Sequence, residues 1–207
     1  MKKKVQWIKK IQPLIKKHPR ITIGIAFVLL LFIMRSCIEG NINVKEYNDA
    51  YARGNELGII AADEYKEAES YFTSAKTSGK YAEVTELCEQ AKDLYSDAEG
   101  HFTHAQESYL EAENYASSNT LEKLAKLVAQ ETALLANISS ARQETCELLE
   151  LTAYAAELYR TDRTSRNLLG VKYYENATKE QLKKEDALFV LFNEVRSDVN
   201  KYKAKVD

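Results

Sequence analysis

The chain reads as an all-α protein: an N-terminal single transmembrane helix, then an elongated antiparallel helical hairpin that belongs to a four-helix up-down bundle with coiled-coil-like packing. Three observations predict this. Both prolines, Pro13 and Pro19, precede the body, so nothing downstream breaks a helix by ring geometry. A basic leader is followed by the uncharged run from Ile21 to Met34. From Val44 onward, apolar and small residues recur at alternating steps of three and four, the spacing of a coiled-coil seam.

The leader, residues 1–20, carries eight of the chain's 29 lysines and arginines and no acid, which leaves 21 basic against 31 acidic residues in the rest. By the positive-inside rule this end stays in the cytoplasm. Val5, Ile8, Ile11 and Ile15 share one face, with Trp7 at its boundary, so the leader can lie on an anionic leaflet. The apolar run alone spans only about 21 Å as a helix. Snorkelling of Arg20 and Arg35, and extension through Ser36 to Ile38, make residues 21–38 a feasible short span. A signal anchor is favoured over a cleaved lipoprotein signal, in which Cys37 would be the lipidated residue, because Met34 and Arg35 fit a lipoprotein site poorly. A buried core helix is a third reading, disfavoured by the basic flank. Residues 39–43 form a short linker. The membrane lipid is therefore one partner, through residues 1–38, and the body from 44 to 207 is periplasmic or extracellular.

The first body helix spans about 44–77, with Val44, Tyr47, Tyr51, Gly54, Gly58, Ala61, Tyr65, Ala68, Phe72 and Ala75 on its stripe. Thr77-Ser78-Gly79-Lys80 interrupts it. The second helix, about 81–116, continues the stripe through Tyr81, Val84, Cys88, Ala91, Tyr95, Ala98, Phe102, Ala105, Tyr109 and Ala112. Folding back at Ser78 predicts that large residues meet small ones: Gly54 with Phe102, Ala61 with Tyr95, Tyr65 with Ala91, Tyr51 with Ala105, Ala75 with Tyr81. Asn119 and Glu122 form the capping pair of a third helix, about 120–160, whose wide apolar face requires more than one neighbour. Thr161 to Asn176 reads as a polar connection, and Thr178 with Gln181 as the capping box of a fourth helix, 178–206. Spacings of 23 and 14 residues between the Ala-aromatic-Ala blocks exclude a tetratricopeptide array.

Chemistry is sparse. No glycine-rich phosphate loop, nucleophile elbow or HExxH occurs, so the chain is expected not to be an enzyme and to need no cofactor. Asp97, His101 and His104 share a stripe of the second helix and are weak metal candidates beside the simpler reading of a solvated face. Cys88 and Cys146 are equidistant from the second turn, so they lie level across an antiparallel pair, as a disulfide candidate or as packed thiols. Tyr71, Tyr115, Tyr154, Tyr173 and Tyr174 lie off the seam and are candidates for a contact surface. Asn137 and Asn176 head glycan acceptor patterns of the kind that arise by chance. The acidic body excludes nucleic acid as a partner. What remains is a membrane-anchored scaffold or adaptor binding a protein partner in a cell-envelope assembly. The alternatives are a ligand-sensing domain that acts through a partner and a metal- or redox-active bundle.

Overall fold

The described residues form four α-helices: α1 (Pro19–Thr77), α2 (Tyr81–Tyr115), α3 (Asn119–Thr161) and α4 (Ser165–Val206). The computed structural model describes the backbone from Pro19 to Val206 and the side chains from Asn43 to Val206; no strand occurs among these residues. The basic leader, the side chains of the proposed anchor and Cys37 lie outside the described residues. Among the residues whose side chains are described, no helix is long and apolar enough to cross a membrane. The expected linker at 39–43 is instead continuous helix within α1. Gly40, Asn41 and Asn43 lower helix propensity without preventing the helix.

Each turn has a local cause. The N–H of Ser78 donates to the carbonyls of Ser74 and Ala75, which closes α1. The Ser78 hydroxyl accepts from the Lys80 N–H at 3.3 Å and donates to Glu83 at 3.0 Å, so the three-residue turn is held from within. Ser118, in extended conformation, caps α3 by accepting from the Leu121 N–H. The cap therefore falls one residue before the expected Asn119. The largest boundary correction concerns α4, which begins at Ser165, where Thr164 accepts from the Asn167 N–H at 3.3 Å. Thr178 and Gln181 are buried in mid-helix rather than capping. The Thr178 hydroxyl donates back to the Tyr174 carbonyl, and Gln181 reaches Glu144 at 2.8 Å. The polar connection shrinks to Asp162–Thr164.

From Glu46 onward the helices form one compact unit. The α2 stripe from Val84 to Ala112 is buried at every expected position, whereas Tyr81 lies outside the core and packs on Tyr154. On α1, Tyr47, Gly54, Ala61, Ala68, Phe72 and Ala75 are buried, and Val44 is exposed. The pairing is displaced by one heptad from the one predicted. Gly54 faces Tyr109, not Phe102. Ala61 lies in a cluster with Ala98 and Phe102, and Ala75 in one with Val84 and Cys88. Tyr65 packs on Tyr95, ring centroids 5.3 Å apart. A slip of seven residues returns every seam position to the seam, so apolar spacing alone does not fix the register. Polar contacts across the seam do: Tyr109 donates to Asn55 at 2.8 Å, Tyr95 to Glu69 at 2.7 Å, and Arg53 pairs with Glu111.

Helix α3 has the wide buried face that its sequence requires. It presents Leu124, Val128, Ile138, Cys146 and Ala155 to the core together with Thr145 and with Thr132 and Ser139, and the hydroxyls of the last two donate back to carbonyls of the preceding turn. Back-bonding of this kind satisfies a buried hydroxyl without a tertiary partner.

Candidate functional site

Polar groups concentrate around Arg142 of α3. Its Nε donates to Glu69 of α1 at 2.7 Å, and its Nη1 donates to Glu185 of α4, which also accepts from the Thr145 hydroxyl. Tyr65 and Tyr95 both donate to Glu69. The guanidinium lies 4.5 Å from the Phe72 ring centroid and 5.7 Å from that of Phe189. Burial alone would lower the Arg142 pKa, but Glu185 and Glu69 hold it above the ordinary range. Glu185 is 1% exposed, and burial raises its carboxyl pKa against the opposing pull of Thr145 and Arg142. Burial and Glu69 likewise raise the Tyr95 hydroxyl. These groups hydrogen-bond and ion-pair with one another, and the node they form joins α1, α2, α3 and α4. The apolar stripes gave no hint of it; Arg142 among Ala141, Thr145 and Cys146 on an otherwise apolar face is the signal that was present.

Cys88 and Cys146 stand level, as their spacing predicts. Both are fully buried free thiols in contact with each other. The hydrogen bond to Cys88, and burial, push the Cys146 pKa far up. A thiol held neutral in this way is a poor nucleophile. The metal candidates separate. His101 Nδ1 engages Glu64 of α1 at 2.7 Å, while Asp97 and His104 are exposed, and no group of three His, Cys, Asp or Glu side chains gathers around a common point among the described residues. The physical reason is the nearby α1 carboxylate, which satisfies the only half-buried imidazole of the pair.

The off-seam tyrosines sort into two sets. Tyr71, Tyr115 and Tyr174 are half-buried, the first two against core clusters. Tyr154 and Tyr173 are exposed, and other large apolar groups accompany them near the end of the unit that carries the turns at 78–80 and 162–164: Tyr81, Leu151, Leu158 and Leu169, the last 66% exposed beside Tyr173 at 69%. The two turns are joined there. Arg160 donates to the Gly79 carbonyl at 3.0 Å, and Tyr81 and Tyr154 pack with centroids 5.5 Å apart. Exposed aromatic and leucine side chains concentrated in one region of a structure mark a contact surface better than scattered ones do.

These features define a helical bundle with a polar central tie and an apolar, aromatic end. A scan of family models finds no match, and neither the curated proteins nor the solved structures contain a similar one.

Proposed function

We propose that the protein is a membrane-anchored helical scaffold or adaptor whose extracytoplasmic bundle holds a protein partner in a cell-envelope assembly. The observation that carries this reading is the exposed set Tyr154, Leu158, Leu169 and Tyr173 at the end of the unit remote from Glu46. Tyrosine and leucine supply contact area at modest entropic cost, and the bundle is tied internally by Arg142, so the surface is presented on a stiff support. The apolar run 21–38 behind a basic leader supports the anchor and its orientation.

The compartment has its own test. Outside the cytoplasm, the contacting thiols of Cys88 and Cys146 meet an oxidising environment and close into a disulfide. Peptide mapping of protein isolated and unfolded under alkylating, non-reducing conditions should find the Cys88 and Cys146 peptides joined, about 2 Da lighter than the two reduced peptides together, with neither of these two cysteines alkylated and Cys37 read separately. Full alkylation of both Cys88 and Cys146 in freshly isolated protein would place the bundle in a reducing compartment and overturn the orientation. For the adaptor role, full-length protein crosslinked in its own membrane should capture a discrete protein, and substitution of Tyr154 and Tyr173 by serine should remove it.

A further inference from the structure

Midway along the unit, α1 and α4 do not close on each other, and a cleft of about 440 Å³ opens between them, floored by α2 and α3. Its origin is legible residue by residue. α1 meets the cleft with Gly58 and Ala62, flanked by Asn55, Ile59 and Tyr65, so the middle of its face carries no bulky side chain. The neighbouring Gly54 is filled by the Tyr109 ring, but Gly58 is not: a Cβ built there meets only the Tyr109 hydroxyl, at 4.0 Å. Phe102, Leu135 and Phe192 supply apolar walls, and Ile59, 65% exposed, stands at the rim.

The charged groups lie on the α3 and α4 side, and Asn55 of α1 and Thr132 of α3 add neutral polar atoms to the lining. Glu131 is largely buried at the wall, with Arg196 Nε 3.7 Å from its carboxylate, too far for a good hydrogen bond, and Lys203 also lines the cleft. Two cations therefore face one acid, which leaves a positive charge to be matched. Apolar walls with a few polar groups, in a volume of this size, are the usual composition of a small-molecule site. The geometry points to a binding site for a small amphiphile with an apolar body and a single carboxylate, the body lying against Phe102 and Phe192 over Gly58 and the carboxylate pairing with Arg196 and Lys203. This goes beyond the adaptor role and does not depend on it.

The test uses the full-length chain in detergent-free membrane vesicles and a ten-carbon carboxylic acid carrying a mid-chain diazirine, with its methyl ester as the neutral control. Irradiation should label α1 around Gly58 to Tyr65 and α4 around Phe192 to Lys203. Gly58→Leu and, separately, Ala62→Leu fill the cleft from open or exposed positions and should each reduce labelling by at least about tenfold, with thermal melting at or above that of the parent chain. Arg196→Gln should weaken labelling severalfold, Glu131→Gln should strengthen it, and the ester should label less than the acid. Labelling spread along the chain, labelling that survives both fillings in folded protein, or equal labelling by acid and ester would each overturn the assignment.

Discussion

Gly54 and Gly170 are alike in the sequence, each a helix-weakening residue amid helix formers, and the structure separates them. A Cβ at Gly54 would stand 2.8 Å from Tyr109 Cε1, and the ring is buried and hydrogen-bonded to Asn55, so it cannot give way cheaply. Gly54→Ala should therefore destabilise the bundle by about 1–3 kcal/mol, despite the better helix propensity of alanine. At Gly170 nothing lies within 4 Å, and Gly170→Ala should stabilise by about 0.5–1 kcal/mol. Urea titration of both variants measures the pair. At the central tie, Arg142→Met leaves the Glu185 carboxylate buried without its cation and should cost about 3–5 kcal/mol, whereas Arg142→Met with Glu185→Met should recover most of that loss. Burial raises the Glu131 carboxyl pKa above its ordinary value, and Arg196 and Lys203 offset only part of the rise. The contribution of this group to stability is thus complete below the unfolded value, near 4.5, and declines as pH rises through the folded value. Glu131→Gln should match the parent chain at about pH 4 and exceed its stability at about pH 7, as read from urea midpoints.

At the scale of elements, the α1–α2 register is the sharpest point of difference. The seam residues of α2 were legible one by one, because alternation of alanine with tyrosine and phenylalanine at three-four spacing has no other low-energy use. The pairing was not, since a seven-residue slip leaves every apolar position in place, and the choice rests on Tyr109–Asn55, Tyr95–Glu69 and Arg53–Glu111. Cysteines introduced at Arg53 and Glu111 should be joined by a short bismaleimide, while cysteines at Arg53 and His104 should not; the reverse outcome would place the helices in the register slipped by seven residues. The start of α4 was hidden for a related reason. Its first turns expose Leu169 and Tyr173 and carry Gly170, so they lack the apolar rhythm by which the later turns are recognised. A Thr-x-x-Gln pattern at Thr178 imitates a cap but serves instead to satisfy buried polar groups against α3. Likewise, equal spacing from a turn correctly placed Cys88 beside Cys146, whereas the Asp97, His101 and His104 stripe ignored Glu64 on the facing helix.

For the whole molecule, the composition and seam anticipated four packed helices, and the exposed end near Tyr81, Tyr154 and Tyr173 emerged only once the two turns were seen to meet. The adaptor account assigns that end to a protein partner outside the cytoplasm. The most direct measurement places a photo-crosslinking phenylalanine analogue at Tyr173, at Tyr154 and, as a control, at Glu89, which is exposed on α2, in full-length chain expressed in its own cells. The account predicts one discrete adduct from Tyr173 and Tyr154, absent from Glu89, retained with membranes and degraded by protease added outside the intact inner membrane. No adduct from either tyrosine position, or an adduct with a cytoplasmic protein shielded from that protease, would contradict it.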